Sequence, residues 1–195
     1  MNTLRSKREN WSYIEHGLYS VDRIAQMIEN FDYEWGIDTS RQEKYKTHAD
    51  TRCLTVQSIS LYWVVGNPAV SKKLFEIKDQ AAKEEIDYIV KDLEEKNDGK
   101  LVNFEIVSLN GNCRIRTHRD RGDFVYYGRR IHVPIITNPG ALFTVAGNQI
   151  HMEKGKAYEI NNAKWHSVIN KSAQERIHLI LDILPNEYAR TVNFI

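Results

Sequence analysis

Two histidines and one aspartate in the second half of the chain have the residue types of a metal site. His118 and Asp120 lie two positions apart in a segment, 114–120, that reads as an extended strand. Residues i and i+2 of a strand point to the same face, so the imidazole and the carboxylate are directed at one point. His166 can supply a third ligand from a neighbouring strand. Two histidines and one carboxylate on one face of a metal ion, with other positions open, are typical of non-haem Fe(II) oxygenases.

Arg176 is the second chemical feature, because it begins an apolar segment, 176–182, that reads as a strand. A buried guanidinium needs an anionic or hydrogen-bonding partner, and its planar fork matches a carboxylate. Two partners stay open: the carboxylate of a co-substrate, or an internal carboxylate such as Asp182. A His-x-Asp pair alone occurs by chance, and a strand histidine is more often a core or surface residue than a ligand. The combination with His166 and Arg176 favours the metal site.

The triplet Arg-Ile-His occurs twice, at 130–132 and at 176–178. In the first copy, Arg130 and His132 share one strand face, away from the apolar residues that alternate with them. Two polar residues that face inward indicate either a polar cavity or a structural hydrogen-bond network. We interpret them as facing a cavity.

Further arginines surround the ligand pair. Arg116 precedes His118 at a spacing of two, so it is expected to flank the metal, and Arg119 and Arg121 lie next to Asp120. In a chain of net charge +1 this concentration predicts an anionic substrate or a peptide carboxylate at the mouth of the site, with Arg116 and Arg121 as substrate-binding residues. The alternative, that Arg119 and Arg121 are solvated loop residues, stays open.

Two aromatic features near the ligands are assigned by position alone. Trp165, beside His166, is expected to have a packing role rather than to stack on substrate. Tyr126 and Tyr127, in the predicted loop after the ligand pair, are assigned to a lid over the site.

The composition narrows the class of protein. At 195 residues the chain is expected to form a single domain, 1–195, and its near-neutral charge argues against general nucleic-acid or membrane binding. The longest apolar run, 61–65, is too short to span a bilayer, and no apolar segment follows the N-terminal residues as in a signal peptide. Cys53 and Cys113 are isolated and predict reduced thiols. We therefore expect a cytoplasmic protein.

The first hundred residues predict a layer of helices and strands. The expected elements are an irregular lead-in over 1–19, a helix that Ser20 caps, a loop-rich stretch over 30–50, one or two strands over 54–65 and a helix over 71–97. The charged residues of the last helix are assigned to a solvated face.

From residue 101 onward the sequence predicts short strands separated by turn residues. The expected strands are 101–109, 113–119, 130–136, 141–146, 149–153, 156–160, 165–169 and 176–184. Eight short strands after a helical layer predict an α+β, mainly β fold: a double-sheet jelly roll, or double-stranded β-helix, of the cupin-like type. The layer covers 1–100 and the jelly-roll core 101–184.

Residues 101–184 resemble the aspartyl/asparaginyl β-hydroxylase family of 2-oxoglutarate dioxygenases. The resemblance is carried by five motifs, whose joint order and spacing are more specific than any one of them. They are His118-Arg119-Asp120, Arg-Ile-His-Val-Pro-Ile at 130–135, Gly-x-x-Tyr-x-Ile-Asn-Asn at 155–162, His-Ser-Val-x-Asn at 166–170 and Arg-Ile-His-Leu-Ile-Leu-Asp at 176–182.

The resemblance implies a double-stranded β-helix in which His118, Asp120 and His166 hold Fe(II). Some animal members of this family lack the carboxylate ligand, so Asp120 makes this sequence similar to the bacterial members with a full triad. The related halogenases leave that position open for chloride, and Asp120 argues against them.

The resemblance also implies that Arg176, with help from Arg130 and His132, holds 2-oxoglutarate, and that O₂ is the second co-substrate. The implied reaction is hydroxylation of an amino acid, or of an Asp- or Asn-type residue in a peptide, with succinate and CO₂ as products. Two alternatives stay open from the sequence: a non-catalytic jelly-roll module that binds a metal or ligand, and a cupin-like zinc enzyme.

Overall fold

The computed structural model describes residues 9–30, 49–59, 64 and 66–195, and these contain twelve strands and four helices. The strands are β1 (Tyr13–Leu18), β2 (Thr51–Ile59), β3 (Ala69–Lys73), β4 (Gly99–Leu109), β5 (Arg114–His118), β6 (Arg129–Ile136), β7 (Ala141–Val145), β8 (Asn148–His151), β9 (Lys156–Ile160), β10 (His166–Asn170), β11 (Arg176–Pro185) and β12 (Val192–Phe194). The helices are α1 (Asp22–Glu29), α2 (Gln80–Lys96), α3 (Asp123–Tyr127) and α4 (Asn186–Ala189). The predicted strands and turns over 60–63 and 65 and most of the loop-rich stretch lie outside the described residues.

The strands form two sheets. The larger has the order β1-β9-β6-β11-β4-β2-β3-β12, and the smaller has the order β5-β10-β7-β8. The pairings are antiparallel except that of β12 with β3. From β4 to β11 the chain passes back and forth between the two sheets, except that the consecutive strands β7 and β8 both lie in the smaller one. This is the topology of a double-stranded β-helix, so the predicted jelly roll is confirmed, with each strand within a few residues of its expected bounds.

The central strand β11 separates two interiors. Ile177, Leu179 and Leu181 point to one face, where they pack with helices α1 and α2 in the main apolar core. Arg176, His178 and the other alternate residues of β11 point between the two sheets. Because both faces of β11 are covered, every residue of the strand is buried. The polar face that carries the candidate site is therefore enclosed by the fold.

The N-terminal segment differs from the predicted irregular lead-in. Residues Tyr13–Leu18 form an edge strand that pairs with β9. The register shifts between Glu15 and Gly17, and Gly17 has a φ of +156°. The irregularity breaks the alternation of apolar and polar residues, which explains why the sequence shows no strand period here.

The predicted helix over 71–97 is shorter in the structure. Its first residues belong to strand β3, which lies between β2 and β12. The helix begins only at Gln80, after Asp79, whose carboxylate accepts a hydrogen bond from the backbone amide of Ala82. Such a cap satisfies an amide that has no partner inside the helix. The predicted stop is confirmed, because α2 ends at Lys96.

Helix α1 is confirmed, but Ser20 does not cap it. The N-cap position is Val21, which offers no side-chain hydrogen bond. Glu85 of α2 instead accepts hydrogen bonds from the backbone amides of Arg23 and Ile24, and the Ser20 hydroxyl also donates to Glu85. The cap thus comes from a distant part of the chain.

None of the helices in the described part of the chain has the length and apolar character needed to cross a bilayer.

Candidate metal and co-substrate site

Three potential metal-binding side chains meet at one end of the smaller sheet. The ligand atoms of His118, Asp120 and His166 all lie within 4.8 Å of one another. Asp120 Oδ1 lies 3.7 Å from His118 Nε2 and 3.9 Å from His166 Nε2. The two imidazole rings have centroids 4.2 Å apart. The structure therefore brings together the three residues that the sequence nominated.

Strand pairing positions the two histidines. His118 on β5 and His166 on β10 are direct cross-strand partners. The register then shifts, so that Val168 lies opposite Ile115. This irregularity places one extra residue in β5. Ile115 is buried, and His118 is partly exposed, with a side-chain exposure of 22%.

Asp120 reaches the site from beyond the end of β5, not from the strand itself. Its backbone amide donates a hydrogen bond to the carbonyl of Asn162 at 3.0 Å. The predicted convergence with His118 is present, but a loop contact produces it instead of the alternation of strand faces.

Backbone carbonyls orient both imidazoles. His118 Nδ1 lies 2.8 Å from the carbonyl oxygen of Arg116, and His166 Nδ1 lies 2.9 Å from that of Lys164. With a proton on Nδ1, Nε2 of each ring carries its lone pair toward Asp120, which is the arrangement of metal-bound histidines. Burial lowers the pKa of His166, although Asp120 opposes the shift. A neutral imidazole is the form that binds metals.

The second oxygen of Asp120 is held separately. Oδ2 accepts hydrogen bonds from Arg130 Nη1 at 2.6 Å and from Asn162 Nδ2 at 2.9 Å. Burial alone would raise the pKa of Asp120, but Arg130 and then His166 outweigh burial, and the pKa is about 2. The carboxylate is thus ionised, with Oδ1 directed at the histidines.

Arg130 is fixed between two carboxylates. Besides its contact with Asp120, it donates from Nε and Nη2 to the two oxygens of Asp182, at 2.8 Å each. Asn103 also donates to Asp182. The sequence nominated Arg130 as a co-substrate ligand, whereas the structure places it behind the metal ligand Asp120. Asn162 was not assigned a role, and Asp182 was considered only as a partner of Arg176, although both lie in motifs that carried the family resemblance.

Arg176 is buried on the inner face of β11, at 1% exposure. Its Nε and Nη1 atoms have no hydrogen-bond partner among the described residues. Burial lowers its pKa from the usual 12.5 to about 10. The alternative of an Arg176–Asp182 ion pair is wrong, since Asp182 binds Arg130. Burial of a guanidinium in this condition is unfavourable unless an anion or a hydrogen-bonding group supplies the missing contacts.

His132 lies between the metal ligands and Arg176. It is buried, and neither ring nitrogen has a partner among the described residues. Its ring meets Phe143 edge to face, with centroids 5.2 Å apart, and Phe143 is stacked at 6.4 Å on His166. Burial, and then Arg176, lower the pKa of His132 well below its usual range. The interpretation that Arg130 and His132 both face a cavity is therefore wrong for Arg130, which belongs to a hydrogen-bond network with Asp120 and Asp182. For His132 it stays a prediction, to which the two unpartnered ring nitrogens lend support.

The arginines nominated for substrate binding are exposed. Arg121 follows Asp120 directly in the chain, near the ligands. Arg116 lines a surface groove with Arg114, Ile169 and Lys171, and the register shift in β5 removes the strict alternation that had placed it beside His118. The structure does not bring Arg116 into the group of metal-ligand atoms, and its substrate role stays a prediction.

The rim of the site also contains an aromatic residue that is more exposed than the sequence predicted. Trp165 is 58% exposed, contrary to the expected packing role, and the Arg119 guanidinium lies 5.5 Å from the centre of its ring.

Tyr126 and Tyr127 belong to the short helix α3 instead of a loop. Tyr127 packs against Tyr188, with ring centroids 4.8 Å apart.

The fold and the triad together define a non-haem Fe(II) oxygenase type of site on a double-stranded β-helix. The sequence matches the family described as aspartyl/asparaginyl beta-hydroxylase over residues 20–185. The chain belongs to the aspartyl/asparaginyl β-hydroxylase family and is, by class, a 2-oxoglutarate-dependent dioxygenase. Its cofactors are those of the class: Fe(II), 2-oxoglutarate and O₂. No curated protein sequence matches the chain.

Solved structures with the same fold are distant in sequence. The viral collagen prolyl hydroxylase of Paramecium bursaria Chlorella virus-1, in its 2-oxoglutarate complex, is 9% identical with a TM-score of 0.56, over 90% of this chain and 97% of that one. A 2-oxoglutarate–Fe(II) oxygenase family oxidoreductase from Burkholderia pseudomallei is 12% identical with a TM-score of 0.50, over 93% and 88%. The nickel complex of the non-haem monooxygenase ThoJ is 9% identical with a TM-score of 0.54, over 89% and 74%. At these identities the similarity establishes the fold.

Proposed function

We propose that this protein hydroxylates an amino acid, or an Asp- or Asn-type residue in a peptide, with His118, Asp120 and His166 as the iron ligands. The observation that carries the proposal is the convergence of two imidazole Nε2 atoms and one carboxylate oxygen. Two neutral nitrogen ligands and one carboxylate form a facial set that leaves the remaining positions for co-substrate and O₂.

Unpartnered polar atoms between the two sheets indicate that 2-oxoglutarate fits beside the metal ligands. Arg176 offers unpartnered Nε and Nη1 atoms, and His132 offers two unpartnered ring nitrogens, all enclosed by the fold. Their burial would be unfavourable unless a ligand or water supplied the missing hydrogen bonds. A dicarboxylate satisfies that need, because one carboxylate can bind the guanidinium fork while the other end lies near the metal. Arg176 and His132 therefore fit the co-substrate.

The cofactors would supply the chemistry of the reaction, and the surrounding residues hold the metal ligand Asp120 in position. Iron and 2-oxoglutarate, when bound, use O₂ to replace a C–H bond of the substrate by C–OH, with release of succinate and CO₂. Arg130 and Asn162 hold Oδ2 of Asp120, which leaves Oδ1 as the metal-binding atom. Asp182 binds Arg130 in turn. These contacts fix the ligand before metal binds, which is what supporting hydrogen bonds do in metal sites.

The proposed class of substrate is supported by the charged and aromatic residues at the rim of the metal site. Arg121 and Arg119 provide positive charge beside the ligands, and Trp165 provides an exposed ring. Such a rim suits a substrate with a carboxylate, as free amino acids and acidic peptides have. Arg116, in its groove, is retained as a prediction for a longer peptide. A cytoplasmic location is likewise retained as a prediction.

The test is anaerobic titration of the Fe(II)-loaded protein with 2-oxoglutarate, followed by an assay of succinate with amino acids and Asp- or Asn-containing peptides. We expect a weak visible charge-transfer band on titration and substrate-stimulated succinate formation. His166→Ala and Asp120→Ala should lose both, whereas His151→Ala, a histidine whose Nδ1 lies 3.1 Å from a backbone carbonyl on a neighbouring strand, should keep both.

Full turnover by His166→Ala or Asp120→Ala would refute the ligand assignment. Metal binding without consumption of 2-oxoglutarate under any condition would point to a non-catalytic jelly-roll module. Tight Zn²⁺ binding with hydrolytic or isomerase activity would point to a cupin-like zinc enzyme.

A further inference from the structure

The segment that carries the first two metal ligands is strongly basic. Residues 114–121 contain four arginines and a single carboxylate, that of Asp120, whereas the whole chain has 27 basic and 26 acidic residues. The arginines are Arg114, Arg116, Arg119 and Arg121. All four side chains are exposed. Positive charge in a nearly neutral chain is therefore concentrated beside the metal ligands.

The pairing of β5 with β10 shows which face of the smaller sheet carries this charge. Ile115 and Val168 are cross-strand partners, and both are buried between the two sheets. Arg114 and Ile169, which pair with each other, come next to them in the chain and must point to the opposite, outer face. Strand β5 is the outermost strand of this sheet. The basic side chains therefore lie on the outer face, at its border.

A surface groove of about 720 Å³ lies on this outer face. Arg114, Arg116 and Lys171 line it, and Ile169 gives it an apolar contact. Asp50 supplies the one carboxylate among the described residues of the lining. In the described part of the chain none of the three cations has an ion-pair partner. The groove thus has an excess of positive charge that is available to an anionic ligand.

The groove continues along β5 toward the metal site. Arg116 and Arg114 precede His118 by two and four residues, which correspond to about 7 and about 13 Å along a strand. Between the groove and the metal stand Arg119 and Trp165, each next to a metal-binding histidine in the sequence, with the guanidinium 5.5 Å from the ring centre. A chain that occupies the groove can therefore place one of its side chains at the metal a few residues further along.

An extended peptide fits this arrangement better than a free amino acid or a nucleic acid does. A free amino acid at the metal does not reach Arg114, about 13 Å away. A nucleic acid carries a phosphate on every nucleotide, which brings negative charge against Asp50, and it has no side chain for Ile169. A peptide presents alternate side chains to one face, so it can place carboxylates and apolar groups separately.

We propose that the substrate is an acidic polypeptide that docks in this groove, and that Arg114, Arg116 and Lys171 select it by charge. The inference rests on the proposed function, for which it names the substrate class and adds a docking surface outside the metal site. Two carboxylates spaced as in Glu-x-Glu meet Arg116 and Arg114 when they lie about three to six residues from the hydroxylated residue. Lys171 adds positive charge at the end of the groove away from the metal.

Peptide binding is measured by fluorescence anisotropy on the protein loaded with Mn(II) and 2-oxoglutarate, without O₂. The probes are labelled peptides of about 12 residues with one Asn and a Glu-Ala-Glu segment about four residues from it, on either side, and counterparts with Gln-Ala-Gln. The better acidic peptide should bind about tenfold more tightly than its Gln counterpart, because each of two exposed charge pairs contributes about three- to fivefold. The difference should shrink at about 0.5 M NaCl.

Substitutions in the groove test whether the contact is direct. Arg114→Gln/Arg116→Gln should bind the acidic peptide no better than the Gln peptide. Arg114→Glu/Arg116→Glu should instead prefer a peptide with Lys-Ala-Lys at the same place, which a merely structural role would not produce. The control Arg23→Gln/Lys72→Gln removes the same charge from exposed positions on α1 and β3 and should keep the full preference. All of these side chains are exposed, so every variant is expected to fold.

The succinate assay adds a second measurement. Arg114→Gln/Arg116→Gln should raise KM for the acidic peptide about tenfold and leave kcat unchanged, because the groove lies outside the metal site and contributes only to binding.

Three results would overturn the inference. They are equal binding of the Glu and Gln peptides by the wild type, an undiminished preference in Arg114→Gln/Arg116→Gln, and no preference of the charge-reversed variant for the Lys peptide. Tighter binding of an oligothymidylate of about 12 nucleotides than of the acidic peptide, lost in Arg114→Gln/Arg116→Gln, would overturn it in favour of a nucleic-acid surface.

The outcomes also separate this inference from the proposed function. If free amino acids are hydroxylated while the acidic peptides do not bind, the proposed function stands and only the inference fails. If the acidic peptides bind in the groove but neither the charge-transfer band nor succinate appears with any substrate, the proposed function fails, and the assignment of the peptide as substrate fails with it.

Discussion

Arg176 should reduce the stability of the ligand-free protein while it enables co-substrate binding. The side chain is charged, 1% exposed and without a partner for Nε and Nη1 among the described residues. Burial lowers its pKa from 12.5 to about 10, so the folded state holds the charged form at a cost at every pH below about 10. At about 1.4 kcal/mol for each pKa unit, the cost is about 3 kcal/mol.

The substitution that tests this is Arg176→Met, because methionine is long and flexible enough to follow the path of the arginine stem. The lost guanidinium volume leaves a small void, which costs about 1 kcal/mol. The expected net result is an increase of about 2 kcal/mol in the free energy of unfolding without ligand. Urea unfolding measures it directly.

Addition of 2-oxoglutarate to the Mn(II)-loaded proteins should reverse the order, because both proteins have already gained the stability that the metal supplies. At a ligand concentration about 100 times Kd, the wild type gains about 2.7 kcal/mol. Arg176→Met should gain almost nothing, because a lost charge-assisted hydrogen-bonded pair weakens binding by about 3 kcal/mol or more. Arg23→Met, at an exposed arginine on α1, is the control and should change neither quantity. A destabilised Arg176→Met variant, or one that retains 2-oxoglutarate affinity, would refute the reasoning.

Three other predictions concern the contacts behind the site and the helical layer. Asp182→Asn should weaken Mn(II) binding about 10- to 100-fold, because Arg130 loses its bidentate carboxylate and no longer fixes Asp120; unchanged calorimetric affinity would contradict this. Asn162→Ala removes one of the two hydrogen bonds to Asp120 Oδ2 and should have a smaller effect of the same sign, measured in the same titration. Glu85→Ala should lower the free energy of unfolding by about 1 kcal/mol, as expected for a lost helix cap; the same substitution at Glu84, which accepts an exposed hydrogen bond from Gln80, should have little effect.

The jelly-roll strands could be predicted because their signal is local. Strands such as Arg176–Pro185 are short segments rich in aliphatic residues and preceded by turn residues, and both features can be seen within one segment. The helix over Asp22–Glu29 was similarly visible from its apolar stripe. The N-terminal strand was not, because its register shift at Gly17 removes the alternation. The strand at Ala69–Lys73 is short and mostly exposed, and its polar residues resemble the start of the helix that follows it.

The candidate site, like the fold, could be predicted only in part from the sequence. The residue types at His118, Asp120, His166 and Arg176 were sufficient to nominate a metal and a carboxylate partner. The face of Arg116 could not be predicted, because an irregularity in β5 depends on how that strand pairs with β10.

The sequence by itself determined the strand order along the chain, the family and the kinds of ligand. Only the tertiary structure decided the partners: Arg130 binds Asp120 and Asp182, while Arg176 and His178 are left to face a cavity. The physical reason is that side-chain alternation is a property of one segment, whereas the pairing of buried charges depends on strands that are distant in sequence. Arg130 and Arg176 occur in identical Arg-Ile-His triplets, and their neighbours across the sheets give them different roles.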